Sequence, residues 1–159
     1  MQIRRDDPTA PHVADLLALH LRELRGHMAE FAFALDATGL AVPEVTFWTA
    51  WRDADLVGFV ALKQLEPTHG EVKSMRAAPA ARGTGVGRAL LHHVIAEAGA
   101  RGYDRLSLET GTADFHAPAV ALYRSAGFVD TGAFADYRPS PHNQFLTLSL
   151  RESRCLASS

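Results

Sequence analysis

The stretch Pro79-Ala80-Ala81-Arg82-Gly83-Thr84-Gly85-Val86-Gly87-Arg88-Ala89-Leu90-Leu91 carries the sharpest chemical signal in the sequence. Its alternating glycines remove side chains where a strand gives way to a long amphipathic helix. The first N–H groups of a helix lack internal partners, and the helix dipole adds partial positive charge there. Such an end accepts phosphate, and Arg82 and Arg88 flank it with charge-assisted donors. Glycines alone would favour a plain flexible turn. A Walker loop is excluded, because no lysine follows any of these glycines. The dinucleotide fingerprint G-x-G-x-x-G fits Gly83 and Gly85, with Glu109 at a suitable distance downstream, but its third glycine position is Arg88. The turn also follows an antiparallel hairpin instead of opening a first β-α unit. That reading ranks second.

Other reactive residues give less. His12, His20 and His27 recur near helical spacing, but without a carboxylate pattern or H-E-x-x-H, so no metal site is expected. His92 and His93 read as the exposed face of the main helix. No G-x-S-x-G elbow supports a serine hydrolase. The single cysteine, Cys155, lies in the polar tail 151–159, where it is a poor nucleophile and cannot form an internal bridge.

Composition sets outer bounds. The 159 residues suit one domain of the usual size. Sixteen Lys and Arg against eighteen Asp and Glu leave a net charge of −2, which argues against nonspecific nucleic-acid binding. With 47% hydrophobic and 21% charged residues the chain is globular in composition. A chain of this length buries roughly 68–70% of its unfolded surface, so folding requires neither disulfide nor metal. The start, Met1 to Asp7, lacks the apolar core of a signal peptide, and the longest apolar run, Leu56 to Leu62, is too short to span a bilayer. The expectation is a soluble, cytoplasmic domain over 1–150 with a polar tail, and no nucleic-acid or membrane partner.

The elements that must position the glycine turn follow from periodicity. Residues 2–5 predict a short first strand. Val13, Leu16, Leu17, Leu21 and Leu24 predict a helix from about Pro11 to Arg25. Met28 to Leu35 predict a second, shorter helix. Val45 to Trp51 and Leu56 to Leu65 predict a hairpin about Asp53-Ala54-Asp55, followed by a third antiparallel strand, Glu71 to Ala77. Trp48 and Trp51 fall on opposite sides of their strand, both as core packing. After the glycines, Val86, Leu90, Leu91, Val94, Ile95 and Ala98 line one helix face. Arg105 to Glu109 is a strand. Pro118 opens the next helix and Gly127 closes it. Phe128 to Phe134 and Gln144 to Leu150 predict two last strands. The order implies an α/β (α+β) domain with a mixed sheet.

At this point the chain resembles a known family. Arg82-Gly83-Thr84-Gly85-Val86-Gly87 is similar to the [Q/R]-x-x-G-x-[G/A] pyrophosphate loop of the GNAT N-acetyltransferase superfamily, with Pro79 three residues ahead. Ala121-Leu122-Tyr123-Arg124-Ser125-Ala126-Gly127-Phe128 resembles the family's A-x-Y-x-x-x-G-F segment. The similarity runs over roughly residues 2–150, and within the family it points to small stand-alone bacterial enzymes of the YsnE type.

The resemblance implies a fold and roles. The fold is a mixed, mostly antiparallel sheet of about six to seven strands flanked by about four helices. The cofactor is acetyl-CoA as co-substrate. Met75 and Ala77 would offer backbone contacts to the pantetheine arm from a bulged strand. Arg82, Gly83, Thr84, Gly85, Val86, Gly87 and Arg88 would bind the pyrophosphate. Glu71 would be the general base, with an ordinary solvated strand-end charge as its plainer reading and Glu109 as second candidate. Tyr123 would protonate the departing thiolate, or simply pack as a core aromatic. His116 stands where relatives carry a cofactor-contacting asparagine; it reads either as a hydrogen-bond donor or as a solvated helix-start residue, the latter being the commoner case. The acceptor amine would lie between segment 25–45 and loop 135–143, with Ala135 to Arg138 as candidate lining. The activity implied is direct transfer of acetyl to a primary amine in a ternary complex, by a protein that in this family is often a homodimer. A non-catalytic acyl-CoA-binding domain is the alternative.

Overall fold

The computed structural model describes residues 1–28 and 36–151. The elements in chain order are β1 (Gln2–Arg5), α1 (Pro11–Met28), α2 (Ala37–Leu40), β2 (Val45–Arg52), β3 (Asp55–Glu66), β4 (His69–Ala77), α3 (Val86–Ala100), β5 (Arg105–Gly111), α4 (Ala117–Ser125), β6 (Val129–Asp130) and β7 (Asn143–Ser149). The strands form one seven-stranded sheet in the order β1-β2-β3-β4-β5-β7-β6. Every neighbouring pair is antiparallel except β4 with β5. The sheet of the described residues is therefore not a doubly wound parallel one, and the dinucleotide-fold reading of the glycines falls with it.

The β2–β3 turn closes on Arg52 opposite Asp55, with Asp53 in the left-handed region that a tight two-residue hairpin needs. Both faces of β3 are covered, which explains the unbroken apolar run that begins at Val57. Phe59 and Ala61 face α1, where Val13, Leu17, Leu40 and Phe47 complete one core. Val60 and Leu62 face the other way, toward Leu90, Leu91, Val94 and Ala98 of α3. Each such buried aliphatic stabilises the fold by about 1.5–3 kcal/mol. Trp48 and Trp51 do face opposite sides: Trp48 joins the α3 core, whereas Trp51 belongs to neither core and lies half-buried beneath the Arg4 guanidinium.

Two features of the sheet shape its centre. First, β4 and β5 pair only through His69–Arg105, Gly70–Leu106 and Glu71–Ser107. Beyond them β4 runs on to Ala77 and β5 to Gly111 without pairing, so the strands part and leave backbone groups open. Second, the β3–β4 register shifts between Ala61 and Leu62, opposite Ser74 and Val72, which leaves Lys73 as a bulge. The bulge expected in this strand is thus at Lys73. Gly58 lets α3 approach: a Cβ there would meet the Arg76 carbonyl oxygen at 2.6 Å and Val86 Cγ1 at 2.9 Å.

Three sequence expectations change. The strand expected over Phe128 to Phe134 shrinks to Val129–Asp130, because its register with β7 stops at Asp130 opposite Leu146. The first helix runs to Met28, beyond Arg25. His93 is not on an exposed face; it is half-buried with its ring edge-on to Trp48 at 4.9 Å, and only His92 is exposed. The helix expected over Met28 to Leu35 falls, past Met28, outside the described residues, as does Cys155. Among the described residues no helix is long and apolar enough to cross a membrane, and no cluster of three His, Cys, Asp or Glu could hold a metal.

Candidate active site

Where β4 and β5 part, a cleft of about 910 Å³ opens, within the range of small-molecule sites. It is lined by Met75 and Ala77 of β4, by Arg82, Gly83, Gly85, Val86, Gly87 and Arg88 of the glycine turn, by Glu109 of β5, and by His116 and Tyr123. The structure thus gathers most of the residues singled out from sequence. Two do not line it. Thr84 turns away, and Glu71 lies behind Lys73 and Tyr137.

The glycine turn is built for its place. A single 3₁₀ turn over Pro79–Ala81 leads out of β4. Gly83 and Gly85 have φ of 75° and 91°, a region that costs other residues about 1–2 kcal/mol. Gly85 caps α3, whose first internal bond runs from Ala89 N–H to the Gly85 carbonyl at 3.0 Å. The N–H groups of Val86, Gly87 and Arg88 are therefore left over at the cleft, a ready anion cradle. Thr84 supports this from behind. Its hydroxyl donates to the Ala81 carbonyl at 2.5 Å, and Arg52 of β2 grips Thr84 twice, Nη1 to Oγ1 at 2.6 Å and Nη2 to the carbonyl at 2.7 Å. Nothing in the sequence around Arg52 signalled this role.

The opposite end holds two carboxylates. Glu71 is 2% exposed, so the solvated strand-end reading is wrong. The Tyr137 hydroxyl donates to its Oε2 at 2.6 Å, and Lys73 Nζ reaches the same oxygen at 3.5 Å while also bonding Tyr137. Of the loop 135–138, then, Tyr137 is the residue that faces inward; Ala135, Asp136 and Arg138 are exposed. Burial raises the Glu109 pKa to about 7, against smaller opposing effects of the Asn143 amide, 3.4 Å away, and of Lys73. Asn143 was not singled out from sequence, although it begins a strand that was.

Tyr123 of α4 is buried beside Phe128, and desolvation lifts its pKa to about 12, keeping its proton in place at neutral pH. His116, at the start of α4, is buried rather than solvated: the 3₁₀ turn Asp114–His116 swings it inward, edge-on to Phe115 at 5.1 Å. His20 of α1 faces the same cleft, and burial, with Arg76 nearby, brings its pKa down to about 4. Glu23 of α1 accepts Arg76 Nη1 at 2.6 Å and Arg82 Nη2 at 3.3 Å, tying α1 both to β4 and to the glycine turn.

Comparison with known proteins agrees with this layout. Residues 11–128 match the model of the Acetyltransferase (GNAT) family. The chain is 43% identical over 151 residues to YsnE of Bacillus subtilis (strain 168), an uncharacterized N-acetyltransferase, covering 94% of this chain and all of that one. It is 44% identical over 152 residues to YedL of Escherichia coli (strain K12), also an uncharacterized N-acetyltransferase, covering 95% and 96%. Its fold matches a GNAT family acetyltransferase from Elizabethkingia anophelis, a structure with acetyl-CoA bound, at a TM-score of 0.68 and 20% identity over 94% of this chain and 97% of that one. The matched segment holds the glycine turn, both carboxylates and Tyr123, and on this evidence the chain belongs to the GNAT acetyltransferase family and is an N-acetyltransferase.

Proposed function

We propose that the protein moves the acetyl group of acetyl-CoA to a primary amine by direct attack in a ternary complex. The observation that carries this reading is the cleft between β4 and β5, which the leftover α3 amides, Glu109 and Tyr123 all line. The three amides of Val86, Gly87 and Arg88, with Arg82, suit the pyrophosphate. The unpaired edge of β4 at Met75 and Ala77 suits the pantetheine amides, and an N–H at Met75 would oppose charge that develops on the thioester oxygen.

Glu109 takes the proton that the amine must lose. An alkylammonium has a pKa of about 10 and attacks only after deprotonation, and a base near neutrality serves best. Glu109 lines the cleft and holds a pKa of about 7, whereas Glu71 is screened by Tyr137 and Lys73. Glu71 acts through them, fixing the Tyr137 ring that walls the cleft beside Glu109. The amine nitrogen then bonds to the thioester carbon, the carbon–sulfur bond breaks, the Tyr123 hydroxyl gives its proton to the departing thiolate, and the amide nitrogen sheds its remaining extra proton to the Tyr123 phenolate. No enzyme nucleophile is required, and the Ser74 hydroxyl in the cleft makes no hydrogen bond to a histidine among the described residues.

The test is calorimetric titration with acetyl-CoA and CoA, followed by thiol release across a panel of amines. Micromolar binding with amine-dependent thiol release supports the reading. A folded protein that ignores acetyl-CoA, or binds it and acetylates no amine, refutes it.

A further inference from the structure

The α1-facing side of β4 holds polar groups for which the steps above have no use. Arg76 and Ser74 lie opposite Phe59 and Ala61 of β3, and the His20 ring stands edge-on to Phe59 at 5.4 Å, so the three side chains share one patch. All three line the cleft, and all are buried, with 7%, 5% and 7% of their surface exposed. Arg76 Nε and Nη2, Ser74 Oγ and His20 Nδ1 make no hydrogen bond to any described residue. Each such group left unsatisfied is costly, because burial strips it of water and returns no partner.

The pattern of vacancies is specific. Arg76 spends Nη1 on Glu23, which leaves Nε and Nη2, the two parallel donors along one edge of the guanidinium. That edge matches the two oxygens of a carboxylate. Charge agrees with shape, because Arg76 and Arg82 share the single carboxylate of Glu23 and leave one positive charge over. His20 adds no charge at neutral pH and serves as a hydrogen-bonding group.

We propose that the Arg76–Ser74–His20 patch seats a carboxylate of the acceptor, so that the substrate is an amino acid or another amine that also bears a carboxylate. This rests on the transfer reading above and narrows its acceptor. The one competing source of the same anion chemistry is a phosphate of the cofactor, for which the glycine turn already supplies amides and Arg82.

The test uses amines in matched pairs that differ only in carboxylate against carboxamide: glycine with glycinamide, β-alanine with its amide, lysine with lysinamide. Each is titrated calorimetrically into the CoA-saturated protein and then assayed with acetyl-CoA. The carboxylate member of at least one pair should bind about tenfold tighter or more. Arg76→Lys, which retains a cation for Glu23 but removes the forked edge, should abolish that preference, Ser74→Ala should weaken it, and both should leave acetyl-CoA affinity unchanged. Equal binding within every pair overturns the proposal, and so does an Arg76→Lys protein whose defect is in acetyl-CoA affinity. Carboxylates that bind at this patch without being acetylated would uphold the subsite and refute the transfer reading instead.

Discussion

Tyr137 donates its hydroxyl to Glu71 Oε2 at 2.6 Å, a bond between the loop ahead of β7 and the start of β4 that spans 66 positions of the chain. Phe134 and Phe145 pack on the Tyr137 ring, at 5.3 Å and 5.9 Å, and Lys73 Nζ sits 4.9 Å from its centroid. Tyr137→Phe keeps this packing and removes the hydroxyl. It should lower stability by about 1–3 kcal/mol, since a buried acceptor loses its donor, and reduce kcat/KM. Urea denaturation and steady-state kinetics read the two effects; a variant indistinguishable in both would mean that the bond holds nothing in place.

Glu109 makes two pH predictions. As the base it must be ionised, so kcat/KM should rise with pH through an apparent pKa near 7, and Glu109→Gln should remove that step with a loss of about 10²–10⁴-fold. Its stability effect has the opposite sense. A carboxyl whose pKa is raised by folding favours the folded state below its unfolded value, and that contribution is lost as pH climbs through about 7. Above pH 7 Glu109→Gln should therefore be more stable than the parent, on the order of 1–3 kcal/mol. Loss of activity together with loss of stability at pH 8 would contradict this account.

Tyr123→Phe should cut turnover by about 10²-fold or more with little change in acetyl-CoA affinity, because the ring and its packing on Phe128 remain. Pre-steady-state thiol release separates the chemical step from binding. A collapse in affinity with turnover per bound complex preserved would return Tyr123 to a packing role.

The glycine turn should respond in graded fashion. At Gly83 and Gly85 an added Cβ meets nothing within 4 Å, so an alanine there costs only backbone strain, about 1–2 kcal/mol, but tilts the α3 amides and weakens acetyl-CoA binding. Arg52→Ala should weaken the same binding several-fold with no new group in the cleft, because Thr84 then keeps only its bonds to the Ala81 carbonyl. Gly58→Ala should differ in kind, destabilising by about 2–4 kcal/mol through its clash with the Arg76 carbonyl. Thermal melts beside calorimetric acetyl-CoA titrations distinguish the three.

The glycine turn and the Tyr123 segment were legible in the sequence because backbone requirements leave local marks: left-handed residues at Gly83 and Gly85, and a helix start and stop about Pro118 and Gly127. The hairpin about Asp53 was legible for the same reason. Burial was harder to read. His116 and Glu71 stand next to element boundaries and His93 on a helix side read as polar, where exposure is the ordinary expectation, yet the first two are buried and His93 is half-buried against Trp48. Arg52 and Asn143 reach their partners over long sequence separations, so no local pattern could announce them, and Tyr137 entered only as one of the four candidate lining residues 135–138. The two-residue length of β6 was hidden as well, because Phe128 and Phe134 pack inward on either side of an exposed stretch and mimic the alternation of a longer strand.

Three residue pairs join β4 to β5, against seven between β5 and β7 and eight between β3 and β4. In mechanical terms the sheet is two plates, one of four strands and one of three, held by a short seam at Glu71–Ser107. A ligand lying in the gap bonds to both plates and stiffens the seam, so occupancy should register as slower amide exchange along the facing edges of β4 and β5. Strands far from the gap, such as β1 and β2, would feel it little. The sheet is thus joined most thinly along the line where the candidate cleft opens.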